Sequence, residues 1–153
     1  MNLVTELHAV TAALNAADIR YAVVGGLAVT MHGAVRTTKD IDLLVDEPDV
    51  PRILELMRPL GYIFAALPLT FEADTPRERR VQRVSKIADG EHLCVDLIIC
   101  NAVFAGLLDD TVEVSVPGGT LRVISRAGLV KMKQLAGRDQ DLADLARLEG
   151  EDG

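Results

Sequence analysis

Asp40 and Asp42 stand on alternate residues where an apolar run, Ile41 to Val45, begins. Thirteen residues separate them from a glycine pair, Gly25-Gly26, which follows the apolar segment Tyr21 to Val24. Alternate residues of a strand face the same way, so the two carboxylates would sit side by side. Carboxylates that close repel and raise each other's proton affinity unless a cation lies between them. Paired carboxylates suit hard divalent ions such as Mg²⁺ and the phosphates such ions accompany. The glycines let the backbone approach an anion at a helix N-terminus, where free N–H groups and the dipole favour negative charge. One feature would take the metal and the other the phosphate that the metal needs.

A third carboxylate stands in less hospitable company. Asp96 lies inside Leu93-Cys94-Val95-Asp96-Leu97-Ile98-Ile99-Cys100. An ionised carboxylate left alone in so apolar a strand costs several kcal/mol, so something must compensate it. Two compensations stand open: a metal ion, or a structural role in which the acid caps a turn or pairs with an arginine. Asp46, just past the second apolar run, reads as solvated turn chemistry rather than a ligand. Arg36-Thr37-Thr38-Lys39 leads into the paired acid and offers a guanidinium and hydroxyls for a phosphate. The other reading of that segment is an exposed loop whose arginine pairs with a nearby acid.

The elements that must position these residues follow from periodicity. Leu3, Val4, Leu7, Val10 and Leu14 recur at helical spacing, which predicts an amphipathic helix over 2–17. Tyr21–Val24 reads as a strand, Leu27–His32 as a short helix closed by Gly33, and Asp40–Val45 as a second strand. Glu47-Pro48-Asp49 opens a helix running to about Leu60 and ended by Gly61, with Tyr62–Leu67 extended after it. Residues 68–78 read as loop, and Arg79–Ile87 as a strand bearing basic residues. Asp89-Gly90 is a hairpin turn leading into His92–Cys100. A second hairpin pairs Val112–Val116 with Leu121–Ile124 across Pro117-Gly118-Gly119. Helices over Arg126–Ala136 and Gln140–Leu148 close the chain, with Gly150–Gly153 frayed. These predict an α/β (α+β) fold, a mixed twisted β-sheet flanked by helices. One domain is expected over 1–153, with a sheet core at 1–125 and a C-terminal helix pair at 126–149.

Composition removes several function classes. The 23 acids exceed the 16 Lys and Arg to leave a net charge of −7, which disfavours non-specific nucleic-acid binding. A local basic surface is still available: Arg77, Arg79, Arg80, Arg83 and Lys86 lie within ten residues. That stretch would meet either an acceptor such as RNA or a triphosphate tail, or serve as a solvated strand edge that discourages aggregation. His8, His32 and His92 lack metal-ligand spacing. Cys94 and Cys100 make no Cys-x-x-Cys pair and read as reduced core thiols. No apolar run reaches the roughly 18–20 residues that span a bilayer, and Met1–Glu6 lacks a basic n-region. A cytoplasmic protein without membrane contact is expected.

The Gly-Gly turn after a strand, with Asp-x-Asp opening the next, resembles the signature of the polymerase-β-like nucleotidyltransferase superfamily. Gly25, Gly26, Asp40 and Asp42 match it by type and spacing, and Asp96 fits its third acid on a later strand. Arg36-Thr37-Thr38-Lys39-Asp40-Ile41-Asp42 is similar to the corresponding segment of a small bacterial branch related to abortive-infection and toxin–antitoxin nucleotidyltransferases. So is the tail, in which Lys133 precedes Arg138 and Asp141-Leu142-Ala143-Asp144, with Lys131 the second choice for the lysine.

The resemblance implies Mg²⁺-dependent transfer of a nucleoside monophosphate from an NTP, ATP among them, to an acceptor hydroxyl. Asp40, Asp42 and Asp96 would hold two Mg²⁺, or Mn²⁺ in their place. Gly25, Gly26, Arg36, Thr38 and Lys133 would bind the nucleotide, and Asp141 would hold Lys133 or Arg138 in place. Ordinary i,i+4 pairing on a solvated helix face is the competing reading of Lys133 and Asp141. Acceptors implied are the tRNA 3′ end, a protein or a small molecule, with a cognate antitoxin and a homodimer as further partners. Only one helix pair follows the second hairpin, so a large acceptor platform would have to come from such a partner. The competing function is a catalytically idle binding module or regulator of the same fold.

Overall fold

The computed structural model describes residues 2–32 and 40–152. Helix α1 (Leu3–Ala16) starts where the Asn2 side chain accepts a hydrogen bond from the Thr5 amide, and it buries Leu7, Val10 and Leu14 along one stripe. Strand β1 (Ala22–Val24) is wholly buried and runs directly into α2 (Gly25–Met31). Strand β2 (Ile41–Val45) follows, then a 3₁₀ turn and α3 (Val50–Met57), which passes through a second 3₁₀ turn to Gly61 at φ +100°. Two short strands, β3 (Phe64–Ala65) and β4 (Leu69–Phe71), precede the long hairpin of β5 (Arg79–Ala88) and β6 (Glu91–Ile99). Asp89 and Gly90 both take positive φ at its turn, as a two-residue hairpin loop requires. A second hairpin, β7 (Thr111–Val116) and β8 (Gly119–Ile124), leads into α4 (Arg126–Ala136) and α5 (Asp139–Asp152).

Among the described residues eight strands form one mixed sheet, ordered β3-β5-β6-β2-β1-β8-β7, with β4 also pairing β5. Its centre is parallel where β2 meets β6 and β1 meets β8, and the remaining pairings are antiparallel. Central strands are apolar on both faces, as burial on both sides demands: Ile41, Leu43, Leu44 and Val45 are all fully buried. The faces are told apart by alternation along β5. Arg80 and Lys86 reach Glu47, ahead of α3, and Glu6 of α1. Arg79, Val81 and Arg83 point the other way, into a cavity roofed by α4 and the start of α5.

The expected fold class holds, and three local expectations change. Helix α2 begins at Gly25 rather than Leu27, so the glycine pair is its first turn and not a loop before it. Residues 68–78 are not all loop, because Leu69–Phe71 pair with Arg79–Val81 along the edge of β5. Helix α5 continues to Asp152 instead of fraying from Gly150. The predicted Gly33 cap lies outside the described residues. Cys94 and Cys100 are free thiols as expected, and burial pushes the Cys100 thiol up. Asp46 pairs with Arg20 at 2.7 Å, away from the acids of interest. Among the described residues no helix is long and apolar enough to cross a membrane.

Candidate active site

Strand register brings the two opening motifs into contact. Val24 of β1 lies opposite Asp42 of β2, so Gly25, the next residue, turns over the Asp42 side chain. Gly25 takes φ +68°, where a Cβ is strained, and a Cβ placed on it would lie 2.0 Å from Asp42 Oδ2. Asp42 thus occupies the space a side chain at Gly25 would need. On its other side β2 runs parallel to β6 with Asp42 level with Asp96, which sets both carboxylates on one face. Asp40 stands one residue before β2. Gly25, Gly26, Asp40, Asp42 and Asp96 all line a single cavity of about 460 Å³.

The compensation for Asp96 is an arginine. Arg83, directly across the β5–β6 hairpin, donates from Nε to Oδ1 at 2.7 Å and from Nη2 to Oδ2 at 2.9 Å. This two-pronged pairing raises the guanidinium's proton affinity and fixes the plane of the carboxylate. Asp96 therefore stands level with Asp42, as the resemblance implies, yet is held by Arg83. Donor chemistry here fits a hard divalent cation, since all three acids offer oxygen alone. Among the described residues no three His, Cys, Asp or Glu side chains gather closely enough to cage an ion as they stand.

The roof of the cavity is an ion network. Ser125 caps α4 by accepting from the Gly128 amide, and Gly137 ends the helix at φ +63°, turning the chain into α5. That turn sets Lys133 against two acids, with Nζ 3.2 Å from Asp141 Oδ1 and 3.0 Å from Asp144 Oδ2. Lys133 is 6% exposed and both aspartates are fully buried, so the solvated-face reading fails. Lys131, the alternative lysine, is exposed. Arg138 grips Asp141 as well, from Nε at 2.6 Å and Nη2 at 3.2 Å, and Gln140 and Arg147 engage Asp144. Burial pushes the Asp141 carboxyl up, but Arg138 and Lys133 outweigh it and leave it below the usual aspartate value. Asp141 holds both the lysine and the arginine.

Sequence reasoning left the basic stretch undecided, and the structure divides it. Arg77, Arg79 and Arg83 line the cavity, while Arg80 and Lys86 serve the opposite face. The Arg79 guanidinium stacks 4.9 Å from the centre of the Phe71 ring. Burial, and then the nearby Arg138, lower its proton affinity from the ordinary arginine value. The strand's two-residue alternation was the available signal, but only knowledge of which helices cover which face makes it useful. Asp144 was visible only as part of the tail motif. Arg36, Thr38 and Lys39 lie outside the described residues.

The family model described as an uncharacterised nucleotidyltransferase matches residues 1–130. The chain belongs to that family. It is accordingly a nucleotidyltransferase, a transferase that moves a nucleoside monophosphate. Solved structures of the same fold include a putative nucleotidyltransferase, TM1012, from Thermotoga maritima, at 17% identity and TM-score 0.63 over 97% of this chain and 92% of that one. ANT(2")-Ia in complex with adenylyl-2"-tobramycin matches at 15% identity and TM-score 0.60, covering 98% and 89%. The lincosamide antibiotic adenylyltransferase LnuA, lincomycin-bound, matches at 14% identity and TM-score 0.54, covering 95% of each chain. No curated protein matches the sequence. At these identities the likeness is one of fold, and this nucleotidyltransferase shares the mixed sheet and flanking helices of its neighbours.

Proposed function

We propose that this nucleotidyltransferase transfers a nucleoside monophosphate from a Mg²⁺-bound NTP to an acceptor hydroxyl, with the site built on Gly25, Gly26, Asp40, Asp42 and Asp96. The observation that carries the reading is the contact of Gly25 with Asp42, level with Asp96, at the floor of one cavity. Asp40, Asp42 and Asp96 would hold Mg²⁺, or Mn²⁺ in its place, which supplies charge neutralisation at the transferring phosphoryl group. Backbone amides at Gly25 and Gly26 would bind the β- and γ-phosphates. Lys133, held by Asp141 and Asp144 on the roof of the cavity, would help to neutralise the triphosphate.

The acceptor oxygen forms a bond to the α-phosphorus, the bond to the β-phosphate oxygen breaks, and pyrophosphate departs in line. Asp96 would assist deprotonation of the acceptor hydroxyl. The chain makes no covalent bond, so positioning and electrostatics supply the rate. Arg36 and Thr38, ahead of the paired acids, would add contacts to the triphosphate.

The acceptor is the tRNA 3′ end, a protein or a small molecule. Adenylyl-tobramycin and lincomycin in the neighbouring structures lend weight to the last. The toxin-like branch adds a cognate antitoxin and a homodimer as candidate partners in the cytoplasm, and residues 1–125 and 126–149 would act as one domain.

A second reading, a catalytically idle module, draws on one observation: Arg83 already neutralises Asp96. Labelled nucleotide offered from each Mg-NTP to bulk tRNA, to the protein itself and to small hydroxylated acceptors separates the two. Transfer abolished by Asp42→Ala is the expected result. Equal background in both proteins with every acceptor, together with no NTP binding by calorimetry, rejects the enzyme.

A further inference from the structure

Among the described residues, two arginines lining the cavity have no carboxylate hydrogen-bonded to them. Arg83 is matched by Asp96, and Lys133 and Arg138 by Asp141 and Asp144. Arg79 faces into the cavity with only the Phe71 ring against its guanidinium and no carboxylate bonded to it among the described residues. Arg77 has no carboxylate partner there either. Its guanidinium packs over the Gly137 turn, so close that a Cβ at Gly137 would lie 3.2 Å from Nη1. That turn also begins the segment carrying Arg138, so three guanidiniums converge where β5 meets the start of α5.

A half-buried guanidinium beside another cation is poorly placed unless an anion arrives. Burial, and then Arg138, lower the proton affinity of Arg79, and Asp141, Asp42 and Glu72 offset this only in part. The two arginines line the same cavity as the carboxylates, toward its α5 end, with Arg79 still within electrostatic reach of Asp42. Arg79 lies four residues along β5 from Arg83, about 13 Å of strand.

We propose that Arg79, backed by Phe71, and Arg77 form a phosphate-binding subsite at this end of the cavity. A phosphate presents several oxygens to which two guanidinium forks can donate together, which a single ammonium cannot reproduce. Its owner is either the polyphosphate tail of the NTP or a phosphate of the acceptor. The subsite deepens the nucleotide-transfer reading and rests on it only for that assignment.

Inorganic tripolyphosphate is the probe, titrated calorimetrically into the full chain, free and saturated with Mg-NTP, for wild type, Arg79→Gln, Arg77→Gln and Arg79→Lys. Circular dichroism checks that each variant is folded. Loss of at least about tenfold in tripolyphosphate affinity is expected in each glutamine variant, with partial recovery in Arg79→Lys. A parallel fall in Mg-NTP affinity assigns the subsite to the nucleotide tail. Unchanged Mg-NTP affinity, with arginine-dependent tripolyphosphate binding persisting in the NTP-saturated protein, assigns it to the acceptor. Wild-type affinity for tripolyphosphate in both glutamine variants overturns the subsite. Arginine-dependent tripolyphosphate binding by a wild type that binds no Mg-NTP retains the subsite and rejects the nucleotide reading instead.

Discussion

Replacing Gly25 by alanine joins backbone, carboxylate and chemistry in one perturbation. The new Cβ would lie 2.0 Å from Asp42 Oδ2, 2.8 Å from its Cγ and 3.0 Å from its Cβ. The 3.0 Å contact at Cβ asks only a few tenths of an ångström of the backbone, while relieving the 2.0 Å contact moves Asp42 Oδ2 by roughly 1 Å as the side chain rotates. A displacement of that size at a reacting centre costs on the order of 100-fold in rate. The residue also sits at φ +68°, where an L side chain adds about 1–2 kcal/mol of strain. Over a chain of this length that lowers Tm by roughly 2–8 °C. Nucleotide transfer is assayed beside thermal melts and NTP titration, so that loss of rate is separable from loss of fold. The expected variant is folded, modestly less stable and slower by about two orders of magnitude. Wild-type turnover in a Gly25→Ala protein whose Tm has fallen would refute the coupling of Gly25 to Asp42 as the organising contact of the site.

Arg83→Met frees the Asp96 carboxylate from its two-pronged clamp, and steady-state transfer should fall about 10–100-fold, mainly in kcat, as expected when an orienting partner is lost. Lys133→Ala leaves two fully buried aspartates without their shared cation, which should cost about 3–5 kcal/mol and lower Tm by on the order of 10 °C in a calorimetric scan. Acid should unfold the protein partly through Asp141. Its folded-state proton affinity is depressed, so its contribution is present above the unfolded value of 3.8 and is lost as pH falls below it. Melts across that range should show a flatter loss of Tm with falling pH for Asp141→Asn than for wild type.

The site was legible where burial makes a residue type costly. A carboxylate between Val95 and Leu97 had to be compensated, while its place beside Asp42 was implied by the resemblance to the nucleotidyltransferase signature and not by burial alone. Lys133 and Asp141 were legible through the resemblance of the tail to a family motif, which cannot tell a solvated pair from a buried one. What decides that is the αL turn at Gly137, which folds α5 back over α4. The arginines of β5 were visible as residues but not as a site, because alternation gives two faces without saying which one α4 covers. Strand β4 escaped notice because three exposed residues after Pro68 carry no period, and only pairing with β5 makes them a strand. Helix α2 was begun two residues late because glycine is a poor helix former. Gly25 is there to make room for Asp42.

The central claim is a transfer of the α-phosphoryl group, and the fate of two labels tests it most directly. Protein and acceptor are incubated with an NTP labelled at the α-phosphorus and, separately, at the γ-phosphorus. The α-label should become bound to the acceptor while the γ-label is released as pyrophosphate in equal amount, both dependent on Asp42. Release of the γ-label as inorganic phosphate, or its attachment to the acceptor, would contradict the account.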